Sequence, residues 1–342
     1  MFYRSQSANS QAAYAAVAGA ALLANVRSVA GLPGSFSTKK VKGKDYVYYQ
    51  IPDLTGRQTQ VYVGPASAEL DALIQEHRAN PQAPAQAHLR QLTRVALAAG
   101  GAALLPTHAK IVNRLADAGF FQAGGILIGT HVYLAYQNLL GVHWATGAQT
   151  QDPDFAHPGK NVSIALPSSL QMDTPAAIDS LKMGFVPVKS LTTYVKSDEP
   201  DLQLDFVTTL HRGGDKPVKI KALNVNMQPL KFLEFSMENP IQMVLLSNTG
   251  PIIVNAPPPE KYAVHKLLIY GERPQAQRTK SNKDLDQAAS LIEYLTENDA
   301  ALLTEAWQNM ISRGPGWTSR AQEGRDALHR RQPDLDLSSL TD

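Results

Sequence analysis

No cysteine occurs among the 342 residues of this chain. That absence excludes a disulfide framework, thiol catalysis and thiolate metal sites. It also fits a reducing cytoplasm, which is the expected location. Charge of one sign is lacking as well: 32 Lys and Arg stand against 30 Asp and Glu, a formal net of +2. So small a net charge is no argument for a nucleic-acid partner, and any basic surface has to be local. Long apolar runs are missing too. Ala12 to Val26 comes nearest, but a bilayer span takes about 20 apolar residues. Only Arg4 precedes that run as a basic flank and no clear cleavage site follows it, so a signal peptide is not expected. An alanine-rich helix packed on the body is expected instead, with no membrane contact. Internal repeats are not evident.

What is present describes an ordinary globular chain, with 44% hydrophobic and 18% charged residues. The length suits two or three domains. Residues 1–118 read as an accessory region. After the alanine-rich helix, Asp45 to Ile51 and Gln58 to Val63 read as two strands rich in Tyr and Val, joined by a turn around Asp53 to Gly56. Ser67 is placed to cap a helix over Ala68 to His77. Further helices are expected at Gln86 to Ala99 and Thr107 to Ala118.

From Phe120 the pattern changes. Gly125 to Ile128 reads as a short buried strand and Thr130 to Leu140 as a helix, with Gly141 to Thr150 as a loop. Strands are expected near Asp152 to Phe155, Val162 to Leu166, Leu191 to Lys196 and Leu202 to Thr208, with a helix near Pro175 to Lys182. More strands follow at Val218 to Leu223, Leu230 to Phe235, Ile241 to Leu246 and Ile252 to Val254. Strands mixed with helices argue an α/β or α+β sheet over residues 119–256. Pro257-Pro258-Pro259 marks a boundary. Residues 257–342 read as helical: Glu260 to Tyr270, Lys283 to Thr296, Glu297 to Ile311 and Thr318 to Arg330. The polar tail from Gln332 is expected to fray.

Three carboxylates carry the chemistry. Asp152 and Asp154 flank Pro153, and residues two apart on a strand share one face. In Leu202 to Val207, Leu202, Leu204 and Phe206 take the core face, which leaves Asp205 on the other. A neighbouring strand would bring Asp205 beside the pair. Such hard oxygen ligands suit Mg²⁺, and two ions so held serve an in-line displacement at phosphorus. Gly129-Thr130 opens a helix after an apolar strand, and the free amides there attract phosphate. Each piece alone has a plainer reading. An Asp-x-Asp pair is common in loops, Asp205 fits a solvated strand face, and Gly-Thr fits an ordinary strand-to-helix turn.

The run Gly124-Gly125-Ile126-Leu127-Ile128-Gly129-Thr130-His131-Val132-Tyr133-Leu134-Ala135-Tyr136, followed by Gln151-Asp152-Pro153-Asp154-Phe155-Ala156, resembles the nucleotidyltransferase superfamily of the DNA polymerase β type. It is most similar to a bacterial family of uncharacterised nucleotidyltransferase-fold proteins. The similarity continues through Leu204 to Thr208, Pro229 to Leu233, Pro259 to Leu267 and Lys283-Asp284-Leu285. The resemblance implies an α+β fold: a mixed-sheet nucleotidyltransferase-fold core between an N-terminal helix and β-hairpin region and a C-terminal helical region. It implies that Gly129 and Thr130 bind the triphosphate, and that Asp152, Asp154 and Asp205 are catalytic and bind metal. Superfamily members usually carry Ser where this chain has Thr130. The interval from Gly129 to Asp152 is longer than usual, and Pro153 replaces an aliphatic residue.

On the expected helix Glu260 to Tyr270, the resemblance implies that His265 and Lys266 reach the phosphates of a bound nucleotide. An equal reading has them edging the core. Arg273, Lys280 and Lys283 add positive charge nearby, which a solvated face also explains. His131 and His157 lack a metal-ligand partner at clear spacing and are expected to be bystanders. In the N-terminal hairpin, Lys39, Lys40, Lys42, Lys44 and Arg57 interleave with Tyr46, Tyr48, Tyr49 and Tyr62. Bases and phosphates of single-stranded nucleic acid are gripped by such pairs, and small hairpins of transposase-like proteins look similar. Tyr is also a favoured strand residue, so packing explains the same pattern.

The expected activity is therefore transfer of a nucleoside monophosphate from an NTP, such as ATP, to a hydroxyl acceptor. Mg²⁺ or Mn²⁺ is the expected cofactor, and an RNA 3′ end the favoured acceptor. Two readings stay open beside it. One is a nucleotide- or RNA-binding module without turnover, by analogy part of a toxin–antitoxin or defence pair. The other is an interaction protein whose helical tail meets a protein partner.

Overall fold

A computed structural model of the chain describes residues 1–29, 35–41, 43–52, 58–79, 82–145, 153–158, 172–210, 214–273 and 278–341. The chain opens with β1 (Tyr3–Ser5) and α1 (Ala8–Val29), then β2 (Ser35–Val41), β3 (Lys44–Pro52) and β4 (Gln58–Pro65). The helices α2 (Ala68–Ala79), α3 (Gln82–Ala98) and α4 (Pro106–Asp117) lead to β5 (Ile126–Ile128) and α5 (Gly129–Leu140). Next come β6 (Val142–Trp144), β7 (Asp154–His157), α6 (Thr174–Ser180), β8 (Phe185–Val188), β9 (Thr193–Lys196) and β10 (Glu199–Thr209). After β11 (Val218–Ile220), β12 (Val225–Leu230) and α7 (Leu233–Ser236), β13 (Ile241–Ser247) and β14 (Gly250–Ala256) form a hairpin. Four helices finish the chain: α8 (Pro259–Glu272), α9 (Arg278–Asn298), α10 (Ala300–Ile311) and α11 (Pro315–Arg331).

The fold is α+β around a mixed sheet, as the family resemblance implied. Strand order runs β11-β12-β10-β7-β5, and β9 pairs with the N-terminal half of β10 while β8 pairs with β9. β10 runs parallel to both β7 and β12, whereas β5 and β9 run antiparallel to their neighbours. One face of this sheet carries Phe155 and Phe206, stacked with ring centres 5.4 Å apart and met edge-on by Phe120. On the other face, Ile126 and Ala156 are covered by Leu233 and Met237 from α7 and the residue just after it. The main apolar core includes residues from Leu104 to Leu340 and so joins the sheet to the helical end. At Gly324 of α11 a Cβ would lie 2.0 Å from the Leu267 carbonyl oxygen of α8, so only glycine permits these two helices to touch.

Local chemistry explains several elements. Ser67 Oγ accepts from the Leu70 amide at 3.2 Å and caps α2. Asp173 does the same for α6 through the Ala176 amide at 3.0 Å. The alanine-rich α1 buries Tyr14, Val17 and Ala21 against Ala96 of α3 and Val244 and Leu246 of β13. No helix among the described residues is long and apolar enough to cross a membrane.

Four expectations are corrected. The strand expected at Leu230 to Phe235 is β12 ending at Leu230 and then the helix α7; Phe232, with φ of 66°, breaks the extended path. The loop expected from Gly141 holds β6, which pairs with β1 across the chain. The N-terminal hairpin is a three-stranded meander, because β2 pairs with β3 from Lys44 to Gln50. The tail does not fray: Leu335 and Leu340 are buried in the main core. The strand expected at Val162 to Leu166 and the turn around Asp53 to Gly56 lie outside the described residues.

Candidate active site

At one level of the sheet, four strands place Ile128, Asp154, Asp205 and Thr193 side by side. Side chains alternate along a strand, so with Phe155 and Phe206 turned into the core, Asp154 and Asp205 share the opposite face. Register on adjacent parallel strands sets their backbones about 4.8 Å apart. Thr193 Oγ1 donates to Asp205 Oδ1 at 2.6 Å and fixes that carboxylate. The backbone also ties the pair: the Asp205 amide donates to the Pro153 carbonyl at 3.4 Å. Proline lacks an N–H, but here the neighbouring strand asks it only for an acceptor. Asp152 lies outside the described residues.

Like charges directly opposite each other on a sheet repel. Two half-buried carboxylates in register are therefore a donor set that a cation would relieve, and their hard oxygens fit a divalent ion such as Mg²⁺. Among the described residues, no group of three or more His, Asp and Glu side chains gathers as a metal centre. The fit thus rests on the Asp154–Asp205 pair.

Gly129 stands next to it, opening α5 with φ of 69°. A Cβ there would lie 2.2 Å from Asp154 Oδ2. The bare glycine lets the carboxylate and the start of α5 share one small space. The N-cap residue of α5, Ile128, makes no side-chain cap hydrogen bond, and a helix start of this kind attracts an anion. Thr130 turns inward: it is 6% exposed, and its Oγ1 accepts from Gln287 Nε2 at 3.2 Å. The Tyr262 hydroxyl lies 2.8 Å from Gln287 Oε1 and 3.0 Å from the Gly129 carbonyl oxygen. A buried polar relay from α8 and α9 thereby holds the turn between β5 and α5.

Lys266 Nζ donates to Asp284 Oδ1 at 2.7 Å and sits 5.0 Å from the centre of the Tyr262 ring. Arg273 Nε donates to the other Asp284 oxygen at 2.8 Å. Two cations thus share one buried carboxylate beside the relay. His265 is different. Burial, and then the Lys266 charge, push its pKa down to about 3, so the ring is neutral near pH 7. Of the two residues, Lys266 alone brings positive charge. His131 Nε2 lies 2.9 Å from His108 Nδ1 in the interior. His157 lies on the core face of β7, 3.3 Å from the Ala123 carbonyl, and burial lowers its pKa.

In the N-terminal meander, cross-strand pairing sets Lys39 opposite Tyr46 and Ser37 opposite Tyr48, all on one face. Lys39 Nζ lies 5.2 Å from the centre of the Tyr48 ring. Lys39, Lys40 and Lys44 are exposed. Lys42 and Arg57 lie outside the described residues.

Sequence reasoning passed over Thr193, Gln287 and Asn255. Asn255 Nδ2 donates to the carbonyls of Phe121 and Gly125 at 2.7 and 2.9 Å and braces the turn before β5. One signal was present: Asp284 and Gln287 interrupt the apolar stripe of Leu285, Ala288, Leu291 and Ile292. Polar groups on a buried helix face need partners.

A family profile described as nucleotidyltransferase matches residues 107–312. Among solved structures, the chain is similar to an antigenic nucleotidyltransferase-like protein from Paracoccidioides brasiliensis, at 16% identity and a TM-score of 0.30. That match covers 64% of this chain and 94% of the other. No curated protein matches the sequence.

Proposed function

Because the chain belongs to the nucleotidyltransferase family, we propose that it transfers a nucleoside monophosphate from an NTP to a hydroxyl acceptor and releases pyrophosphate. The observation that carries this reading is the register of Asp154 with Asp205 beside the start of α5. Residues 119–256 would hold the reacting centre, and 257–342 would brace it through Tyr262 and Gln287.

In this reading Asp154 and Asp205, together with Asp152, hold Mg²⁺ or Mn²⁺. When bound, such an ion supplies charge stabilisation at the phosphoryl oxygens and a lower pKa for the attacking hydroxyl. The protein's own part is positioning. The Thr193 hydroxyl keeps Asp205 aimed. The first amides of α5 receive the β and γ phosphates, helped by the helix dipole. Gly129 allows that approach, and the Thr130 hydroxyl holds the turn from within. Lys266 adds charge at the triphosphate end. An RNA 3′ end is the favoured acceptor, supported by the exposed Lys39, Lys40 and Lys44 among tyrosines on the meander.

The test is incubation with each α-labelled NTP, Mg²⁺ or Mn²⁺, and cellular RNA or protein extract. Label on RNA that disappears with EDTA and in Asp154→Asn with Asp205→Asn is the expected result. Label that persists in the double variant overturns the site, and no label from any NTP on any acceptor overturns the activity.

A further inference from the structure

Beyond the carboxylates, α7 presents a second chemistry. Cations and rings alternate from its buried Phe235 out to the half-exposed Phe232 and Trp317. Lys261 lies 5.4 Å from the Phe235 ring centre, and the Arg313 guanidinium lies 5.0 Å from Phe235 and 5.3 Å from Trp317. Trp317 meets Phe232 edge-on at 4.7 Å, and Arg320 lies over Phe232 at 5.1 Å. The ladder joins α7, α8 and the segment from Arg313 into α11.

Three features set it apart from a simple clamp between helices. First, charge is in excess. Lys261 and Arg313 share Glu238, while Lys231 and Arg320 share Glu272. The excess sits at the exposed end, where Lys231 and Arg320 face Glu272 alone; toward α8, Glu234 and Glu260, the latter acting on Lys261, join Glu238 in balancing Lys261 and Arg313. Second, the Phe232 backbone is left-handed at φ 66°, a conformation that a bulky residue rarely adopts. Such strain persists where the surroundings fix the residue, often at ligand sites. Third, the place is right. Leu233, between the ladder's two phenylalanines, packs on Ile126 and Ala156, the same sheet face that carries Asp154 and Asp205.

We propose that this ladder binds single-stranded RNA, with bases stacked on Phe232 and Trp317 and phosphates set against Lys231 and Arg320. That the bound strand is the acceptor rests on the nucleotidyl-transfer reading above, whereas the binding itself does not. Phe232 and Trp317 are half-exposed, and aromatic faces stack any base. Arg guanidinium planes add to the stacking and Lys ammonium groups to the phosphate contacts.

The test is anisotropy of a fluorescein-labelled oligouridine of about a dozen nucleotides, across salt concentrations. Trp317→Leu is expected to weaken binding about ten-fold. Lys231→Gln with Arg320→Gln is expected to lower the salt slope by about 1.4. Wild-type affinity and slope in folded variants overturn the proposal. A measurement on the unmodified chain guards against misfolding: crosslinking with a 4-thiouridine oligonucleotide. Crosslinked peptides from 231–238 or 313–320 are expected, and crosslinks confined to the β2–β4 meander overturn the proposal. Asp154→Asn with Asp205→Asn separates the two readings. If label transfer is absent in every protein but binding follows the ladder, the activity fails alone. If RNA is labelled while ladder variants bind as wild type, the ladder fails alone.

Discussion

Gly129 and Asp154 occupy space that has no room for one more carbon: a Cβ on the glycine would lie 2.2 Å from Asp154 Oδ2. Gly129→Ala is therefore expected to displace the carboxylate or the helix start. The left-handed φ of 69° adds about 1–2 kcal/mol of backbone strain for any L side chain. A shift of about 1 Å at a reacting centre costs on the order of 100-fold in rate. Label transfer by Gly129→Ala should fall by that order, while thermal unfolding shows a modest drop in Tm. Full activity in the variant would mean that the Asp154 carboxylate is not used where the structure holds it.

The relay behind Gly129 makes a separate prediction. Gln287 is 1% exposed and bridges the Tyr262 hydroxyl to Thr130 Oγ1. Gln287→Leu takes the amide donor from the buried Thr130 hydroxyl and leaves the Tyr262 hydroxyl only the Gly129 carbonyl, at a cost of about 1–3 kcal/mol in urea unfolding. Looser support for the turn should raise KM for the NTP more than it lowers kcat. Gln287→Glu keeps the acceptor for Tyr262 and should recover part of the stability. Equal stability for the Leu and wild-type proteins would remove the relay from the account.

Much of this site was legible before the structure because its signals are local. Gly129-Thr130 after an apolar strand and Asp205 among Leu202, Leu204 and Phe206 each declare a face or a turn by neighbours in sequence. That alternation puts Asp205 and Asp154 on one face once their strands are adjacent, whereas the parallel direction and the register are seen only in the structure. What stayed hidden depends on distant partners. β1 and β6 are three residues each and exist because they pair across the chain. β12 was not expected over Val225–Leu230, although Val225, Met227 and Pro229 alternate inward there. Thr193, Gln287 and Asn255 gain meaning only from the atoms that they meet. The frayed tail was misjudged for the same reason, since Leu340 is anchored by helices far upstream.

Asn255 tests the turn from the other side. Its amide donates to two buried carbonyls, Phe121 O and Gly125 O. Asn255→Leu leaves both without that donor, and about 1–3 kcal/mol of stability should be lost. β5 begins one residue after Gly125, so the variant should also misplace Ile128 and Gly129. Reduced label transfer beyond what the unfolded fraction explains is the expected result. A variant that loses stability but keeps the specific activity of its folded fraction would confine Asn255 to a structural role.

His265 supplies a prediction in pH. Burial first, then the Lys266 charge, hold its folded pKa at about 3, against 6.5 for a free histidine, with Asp284 opposing and Arg273 assisting. Between these values the unfolded chain binds a proton that the folded one does not. Stability linked to this ring is thus fully present above about pH 6.5 and is lost progressively as pH falls toward 3. Glu238 and Glu272 do not confuse that window. Burial raises their pKa values, but hydrogen bonds from Arg313 and Lys261, and from Lys231 and Arg320, outweigh it and leave both below 4.5. Their contribution is therefore lost only as pH drops beneath about 4.5. His157 is shifted in the same direction as His265, so the comparison must be between variants. Urea unfolding of wild type and His265→Gln at about pH 7.5 and about pH 5 isolates the one ring. Wild type should lose more stability over that interval than the variant. Parallel losses would mean that His265 takes up its proton in the folded chain as readily as in the unfolded one, and would return it to the set of groups able to meet a phosphate.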